Sequence, residues 1–441
     1  MKKHVITGRA VTSWVLYDLA NTIFSMGVIS IVFPLWVKDA VGEARADSVY
    51  ATISAISMVI IFMLSPLLGA MSDAAPRRIP FLAVSTFLCV VLTAVLGYTG
   101  FWISAVCFIL ANITYQAGTQ FYDSLLPEVS TESNRGRIGG LGVGIGYFGS
   151  YIAVGLSLVF AGNKPLLFLL FGAAFLLFSI PCVLFVRERG NPRPRPINLT
   201  MMRESVARTI STLRSGRAYP GLLRFLVGRV FYTDPINTVI SFMTLFTLNV
   251  AVNSGLTRSE AETRAKWIML FAITFAIAGG FIWGRLTDRL GPKRTLNLVM
   301  QSWMAIFLLA ACVGLFGLPL WVMFIVAASS GFSLGGVWAA DRPYMLRLTP
   351  PSRIGEFYGL YGMVGRFSAI TGPMLWGIVL YLAVHKAGLT PLVGQGLAIL
   401  VLLGLMIASY IILRPISDEV RDWTGDDPQT GASEAKQGWT S

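Results

Sequence analysis

Charged side chains inside apolar runs are where this chain can do chemistry. Arg366 stands near the middle of an apolar run at 355–383. An arginine at the centre of a membrane helix costs roughly 2.5–3.5 kcal/mol on insertion scales, so such a residue must pair, face water or bind something. A guanidinium forks carboxylate and phosphate oxygens. Arg366 therefore reads as a ligand for an anion or carboxylate in a central cavity, or as the cation of a structural salt bridge to a buried aspartate. Asp18 and Asp234 are the next candidates, each roughly two turns into an apolar run. Asp18 shares a helical face with Asn21, Thr22 and Ser25, and Asp234 with Asn237, Thr238 and Ser241. Both aspartates are candidates for facing a substrate amino group or carrying a proton. Interhelical hydrogen bonding is the alternative. Burial raises a carboxyl pKa and makes it a usable proton carrier.

A further polar stripe runs through Asn112, Tyr115, Gln116, Thr119 and Asp123, and another through Ser330, Ser333 and Asp341. Tyr115 and Gln116 are candidate substrate contacts. Asp123 is a candidate for both proton coupling and gating, and Asp341 for gating. Gly69-x3-Asp73 with Arg77 and Arg78, and Gly284-x3-Asp288 with Arg289, close their runs. A glycine permits close helix approach, and an aspartate can receive the positive N-terminal end of a neighbouring helix. These residues are expected to latch an inner gate. Pro235 is expected to break its helix and free a carbonyl.

The elements that must position these residues are membrane helices. Of 441 residues, 55% are hydrophobic and 13% charged, and the mean hydropathy is +0.67. About twelve runs, from 13–37 to 393–414, are long enough to span a bilayer. The pattern is duplicated. Asp18-Leu-Ala-Asn21 returns as Asp234-Pro-Ile-Asn237, Gly69-x3-Asp73 as Gly284-x3-Asp288, and Arg137-Ile-Gly139 as Arg353-Ile-Gly355. The offset is nearly constant at about 216 residues, which marks two halves of one architecture. The expected organisation is an N-terminal six-helix bundle at 1–186, a cytoplasmic linker with an amphipathic surface helix at 187–221, a second bundle at 222–414 and a disordered tail at 415–441.

The net charge of +13 follows topology. Most of the basic residues fall on one side of the spans, which places both termini in the cytoplasm, suits anionic membrane lipids and argues against nucleic acid. The start Met1-Lys2-Lys3 leads into a retained span, since its apolar run contains Asp18 and lacks a cleavage site. Cys89, Cys107, Cys182 and Cys312 lie singly in apolar runs and read as small hydrophobes. No metal cluster, nucleophile–base pair or Walker sequence appears, so neither cofactor, metal nor enzyme is expected. Gly144-Ile-Gly-Tyr-Phe-Gly149 matches a dinucleotide fingerprint, but it lies inside an apolar run without a preceding strand and reads as a glycine face for helix packing.

The loop Gly284-Arg-Leu-Thr-Asp288-Arg-Leu-Gly291-Pro-Lys-Arg294 resembles the signature loop of the major facilitator superfamily. The first copy departs from it at Ala74 and Pro76. Within that superfamily, Ser13-Trp-x-Leu-Tyr-Asp18, Ser65-Pro-Leu-Leu-Gly69, Phe121-Tyr-Asp123 and Phe357-Tyr-Gly-Leu-Tyr361 resemble the vacuole-effluxer family. The resemblance implies an all-α polytopic protein with 12 transmembrane helices in two six-helix bundles, working by alternating access. Its eukaryotic vacuolar members are linked to amino-acid export. The expectation is a proton-coupled, secondary-active efflux transporter for an amino acid or related anionic metabolite, monomeric by the fold's default, in a bacterial inner membrane. A lipid or lysolipid flippase and a non-transporting receptor or assembly factor are the rivals.

Overall fold

The computed structural model describes residues 6–419 apart from 192–193, 199, 202, 205–206, 208–218 and 220. Every regular element among them is helical. The first half holds α1 (Gly8–Val41), α2 (Glu43–Ala74), α3 (Ile79–Val95), α4 (Phe101–Ser124), α5 (Arg135–Val159) and α6 (Lys164–Phe185). The second holds α7 (Leu222–Asn253), α8 (Arg258–Leu290), α9 (Pro292–Phe316), α10 (Val322–Arg347), α11 (Ile354–Tyr381) and α12 (Pro391–Leu413). Among the described residues eleven helices are long and apolar enough to cross a membrane, and α3 is a shorter apolar one. The two sets form the two six-helix bundles of the major facilitator fold.

Helix ends follow local chemistry. Thr257 caps α8 in a capping box with Glu260, and Asn163 and Thr390 accept from the first turns of α6 and α12. Gly291 links α8 to α9 at φ 87°, a conformation L side chains rarely adopt. The buried apolar residues of both halves form one contiguous cluster. In the first, Tyr122 stacks between Trp14 and Tyr17 at ring-centroid separations of 4.5 and 4.9 Å. Trp102, Leu158 and Phe316 point outward, as lipid-facing residues must.

Two features differ from expectation. The helix α7 runs unbroken through Pro235, which is buried where α7 packs on α11 and α12. Neighbouring helices can hold a membrane helix together around a proline. The irregular turn lies instead in α1, where residues Ser25–Val32 form a π-helical segment. The expected amphipathic linker helix falls largely outside the described residues, as does the tail beyond residue 419.

The halves meet chiefly along α2 with α11 and α5 with α8, which are equivalent pairs under the duplication. Glycine makes both contacts. A Cβ on Gly69 would stand 2.2 Å from the Gly355 carbonyl oxygen, and one on Gly140 would stand 2.3 Å from that of Gly280. The Gly144–Gly149 segment packs in two directions. A Cβ on Gly144 would lie 3.2 Å from the Ile277 carbonyl oxygen of the other half, and one on Gly149 would lie 2.6 Å from the Leu19 carbonyl oxygen of α1, so the dinucleotide-like motif is a helix-packing face.

Candidate functional site

Arg366 projects from α11 of the second half into the first. One of its guanidinium nitrogens donates to the Ser65 hydroxyl on α2, and another donates to the Gln116 carbonyl on α4 at 3.0 Å. The residue is 6% exposed. Its Nε has no hydrogen-bond partner. Among the described residues no carboxylate lies in ion-pair contact with it. The buried-aspartate alternative is therefore absent from this structure. The guanidinium is held in place by neutral oxygens and keeps an unmatched charge.

Asp18 and Asp123, expected on separate grounds, come together. Both face Arg342 of α10, which lies 3.5 Å from Asp18 Oδ2 and 3.1 Å from Asp123 Oδ1. All three are under one-tenth exposed. The arginine belongs to the second half and both carboxylates to the first, so this triad also spans the interface. The Tyr122 ring lies beneath the guanidinium at 5.7 Å.

Asp341, on the helix equivalent to that of Asp123, has a different role. Its carboxylate takes Arg229 Nε at 3.1 Å, the Tyr232 hydroxyl at 2.6 Å and the Tyr361 hydroxyl at 2.8 Å. Arg229 also stacks over the Tyr361 ring at 3.5 Å. Every one of these partners lies in the second half, and Asp341 is fully buried. This is an internal brace for α7, α10 and α11, and Asp341 makes none of these contacts across the halves.

Asp234 accepts from the Thr371 hydroxyl at 2.6 Å and so ties α7 to α11. Asn237 is half-buried beside it on α7. Asn21 is 5% exposed, yet neither its amide nitrogen nor its amide oxygen has a partner. Tyr115 donates to the Asn21 carbonyl at 3.4 Å, and the adjacent Gln116 carbonyl holds Arg366. Residues 115 and 116 of α4 thus reach the Asn21 backbone and the Arg366 guanidinium respectively.

The two Gly-x3-Asp loops are placed alike. Asp73 accepts from the backbone N–H of Gly355 and of Glu356, both at 2.8 Å, at the start of α11. Asp288 accepts from the N–H of Gly136 at 2.7 Å and of Arg137 at 3.0 Å, at the start of α5. Each carboxylate thus caps a helix of the opposite half, where the helix dipole favours negative charge. Arg78 donates to Asp73 at 2.7 Å, while Arg77 and Arg289 are exposed. Gly69 and Gly284 supply the close approach beside these caps.

The departures of the first loop have a structural counterpart. The Ala74 carbonyl accepts from Arg195 N–H at 2.9 Å and the Pro76 carbonyl from Asn191 N–H at 3.0 Å. The chain leaving α6 therefore straps this loop. Its Glu188 accepts from Arg78 and Ile79 N–H at 2.7 and 2.6 Å, capping α3. Burial pushes the Glu188 carboxyl above its ordinary pKa against the pull of those bonds. The chain leaving α12 behaves similarly. Asp418 accepts from Lys293 N–H at 3.4 Å at the start of α9, and its side chain takes Arg347 at 2.8 Å. Arg347 in turn reaches Glu132 of the first half at 2.8 Å.

Arg342, Arg229 and Ser65 are the site residues that sequence reasoning passed over. Arg229 carries the same cost signal as Arg366, a charge inside an apolar run. Arg342 falls one residue beyond the run that ends at Asp341, where a charge reads as solvated. Ser65 carries no signal of its own.

A family model described as "Vacuole effluxer Atg22 like" matches residues 36–411. The uncharacterized MFS-type transporter YxiO of Bacillus subtilis (strain 168) is 28% identical over 422 residues, covering 90% of this chain and 94% of that protein. Autophagy-related protein 22 of Pyricularia oryzae is 28% identical over 287 residues, covering 57% of this chain but 40% of the fungal protein. Among solved structures, the human organic anion transporter MFSD10 (TETRAN) superposes with a TM-score of 0.70 at 16% identity, covering 92% of this chain and 98% of that one. A bacterial homologue of the iron transporter ferroportin in its outward-facing state gives 0.67 at 17% identity, covering 92% and 99%. The structural likenesses establish the fold. The family match, over most of the length, establishes that the chain belongs to the vacuole effluxer Atg22-like family and is a membrane transporter of the major facilitator type.

Proposed function

We propose that this transporter moves a small solute bearing a carboxylate or similar anionic group, with Arg366 as its anchor. The observation that carries the reading is the burial of Arg366 without a counter-ion. A buried charge is costly unless it is paired, and a ligand carboxylate would supply the missing partner through a charge-assisted hydrogen bond. Asn21, whose amide is buried and unpartnered, offers a second polar contact, with Tyr115 bonded to its backbone carbonyl; Gln116 and Asn237 are further candidate contacts. Amino acids and related metabolites are the solute class that fits these contacts.

Transport proceeds by alternating access. Asp73 and Asp288 latch one face, because each caps a helix of the opposite half and must release it before the halves can part. The distribution of lysine and arginine supports a cytoplasmic position for that face and both termini, and a bacterial inner membrane is the membrane that we propose. Family membership favours efflux, and proton coupling would supply the driving force. The test is ligand-dependent thermal stabilisation of the purified protein across labelled amino acids, organic anions and lysolipids. One class of anion should stabilise the wild type and leave Arg366→Ala unmoved. Equal stabilisation of both proteins would remove Arg366 from the binding site.

A further inference from the structure

Within the triad of Asp18, Asp123 and Arg342, two carboxylates share one guanidinium. The distances are 3.5 and 3.1 Å, and each residue is under one-tenth exposed. Two further cations act on Asp123 from nearby: Arg229, which is committed to Asp341, Tyr232 and Tyr361, and Arg366 of the solute site, which has no carboxylate partner of its own. The other groups facing the triad are neutral. Trp14 of α1 donates to the Tyr122 carbonyl at 3.3 Å, and the Tyr122 hydroxyl is buried without a partner. Tyr358 of α11 donates to the Arg342 carbonyl at 3.4 Å, and Tyr147 of α5 faces Asp18. On the remaining side, a Cβ at Gly142 of α5 would stand 3.1 Å from Asp18 Oδ2. The second negative charge is therefore offset only at a distance, by Arg366 of the solute site, in a region of low dielectric.

We infer that this triad is the coupling-ion site, binding one proton per transport cycle on the Asp18–Asp123 pair. The inference rests on the transporter reading above and assigns its coupling ion to three residues. The reaction is a protonation. A carboxylate oxygen gains an O–H bond, the proton comes from water at one face, and it returns to water at the other. Uptake makes the triad neutral and lowers the ion pairs across the halves from two to one. The second half then holds the first less tightly, and the latched face can open. Asp341, on the equivalent helix of the second half, is by contrast matched within its own half.

The test needs no substrate. Ser133→Cys and Ser352→Cys place one spin label on each half, at exposed positions between α4 and α5 and between α10 and α11. The four native cysteines are replaced. Label separation is measured between about pH 5 and pH 8, a range in which buried carboxylates titrate. The wild type should shift severalfold toward the longer separation as pH falls. Asp123→Asn should stay at the longer separation throughout, and Asp123→Glu should restore the shift and show that the fold is intact. A pH-independent wild type, a shift toward shorter separation, or an Asp123→Asn response equal to the wild type's would each overturn the assignment. Arg366→Ala should keep the pH response. A pH response without any Arg366-dependent anion binding would sink the solute reading alone, and anion binding without a pH response would sink the coupling site alone.

Discussion

Asp123 of α4 and Asp341 of the equivalent helix α10 are neutralised differently. Asp341 is paired by Arg229 of its own half, and Asp123 is reached across the interface by Arg342. One of the pair braces a bundle, while the other joins two bundles.

That difference predicts unequal responses to substitution. Arg229→Met leaves Asp341 buried and unpaired, a loss of about 3–5 kcal/mol for a fully buried pair. Thermal unfolding of the purified protein should show a large drop, and Arg229→Met with Asp341→Leu should recover much of it. Arg342→Met should destabilise too, but its rescue requires Asp18→Asn or Asp123→Asn from the other half.

The glycine contacts give a second prediction. Gly69→Val and Gly140→Val force side chains into backbone carbonyls of the opposite half, with Cβ separations of 2.2 and 2.3 Å before any relaxation. Either variant should fold, because the clash lies between the bundles and not within one. Each should populate the state in which the latched face is open, read as faster alkylation of a cysteine placed at Ser65.

A third prediction concerns the caps on the opposite half. Asp73→Ala and Asp288→Ala each remove an acceptor from two backbone N–H groups at a helix start. Helix-terminal charge contributes about 0.3–1 kcal/mol when exposed and up to about 2 kcal/mol when partly buried. Each single variant should raise alkylation at the latched face roughly 2- to 30-fold, the double more.

The chain ends of the two bundles make a fourth. Truncation after Leu413 removes Asp418, which holds Arg347 on its path to Glu132. The truncated protein should lose the benefit of the Arg347–Glu132 pair, so that Glu132→Gln costs the full-length protein stability but leaves the truncated one unchanged. Unfolding curves for the four combinations check this as a double-mutant cycle.

Much of this was legible in the sequence because membrane physics is severe. Charges inside apolar runs are few, so Arg366, Asp18 and Asp234 stood out, and the repeat of Gly-x3-Asp identified both loops. Partnership was not legible. Nothing in the spacing says that Arg366 ends on a serine hydroxyl and a backbone carbonyl, or that Asp18 and Asp123 converge on Arg342. Such contacts depend on helix rotation and on how the bundles dock. Pro235 misled for a related reason. Proline weakens a helix locally, and the neighbours of α7 preserve it.

The most direct test of the central claim is counterflow in proteoliposomes with the stabilising anion, comparing wild type, Arg366→Ala and Arg366→Lys. An anion anchored by a charge-assisted hydrogen bond should lose about 1.5–3 kcal/mol, roughly 10- to 150-fold in apparent affinity, in Arg366→Ala, with partial recovery in Arg366→Lys. Undiminished exchange by Arg366→Ala would show that the buried guanidinium serves only to hold α11 against α2 and α4, and the account of the solute site would be wrong.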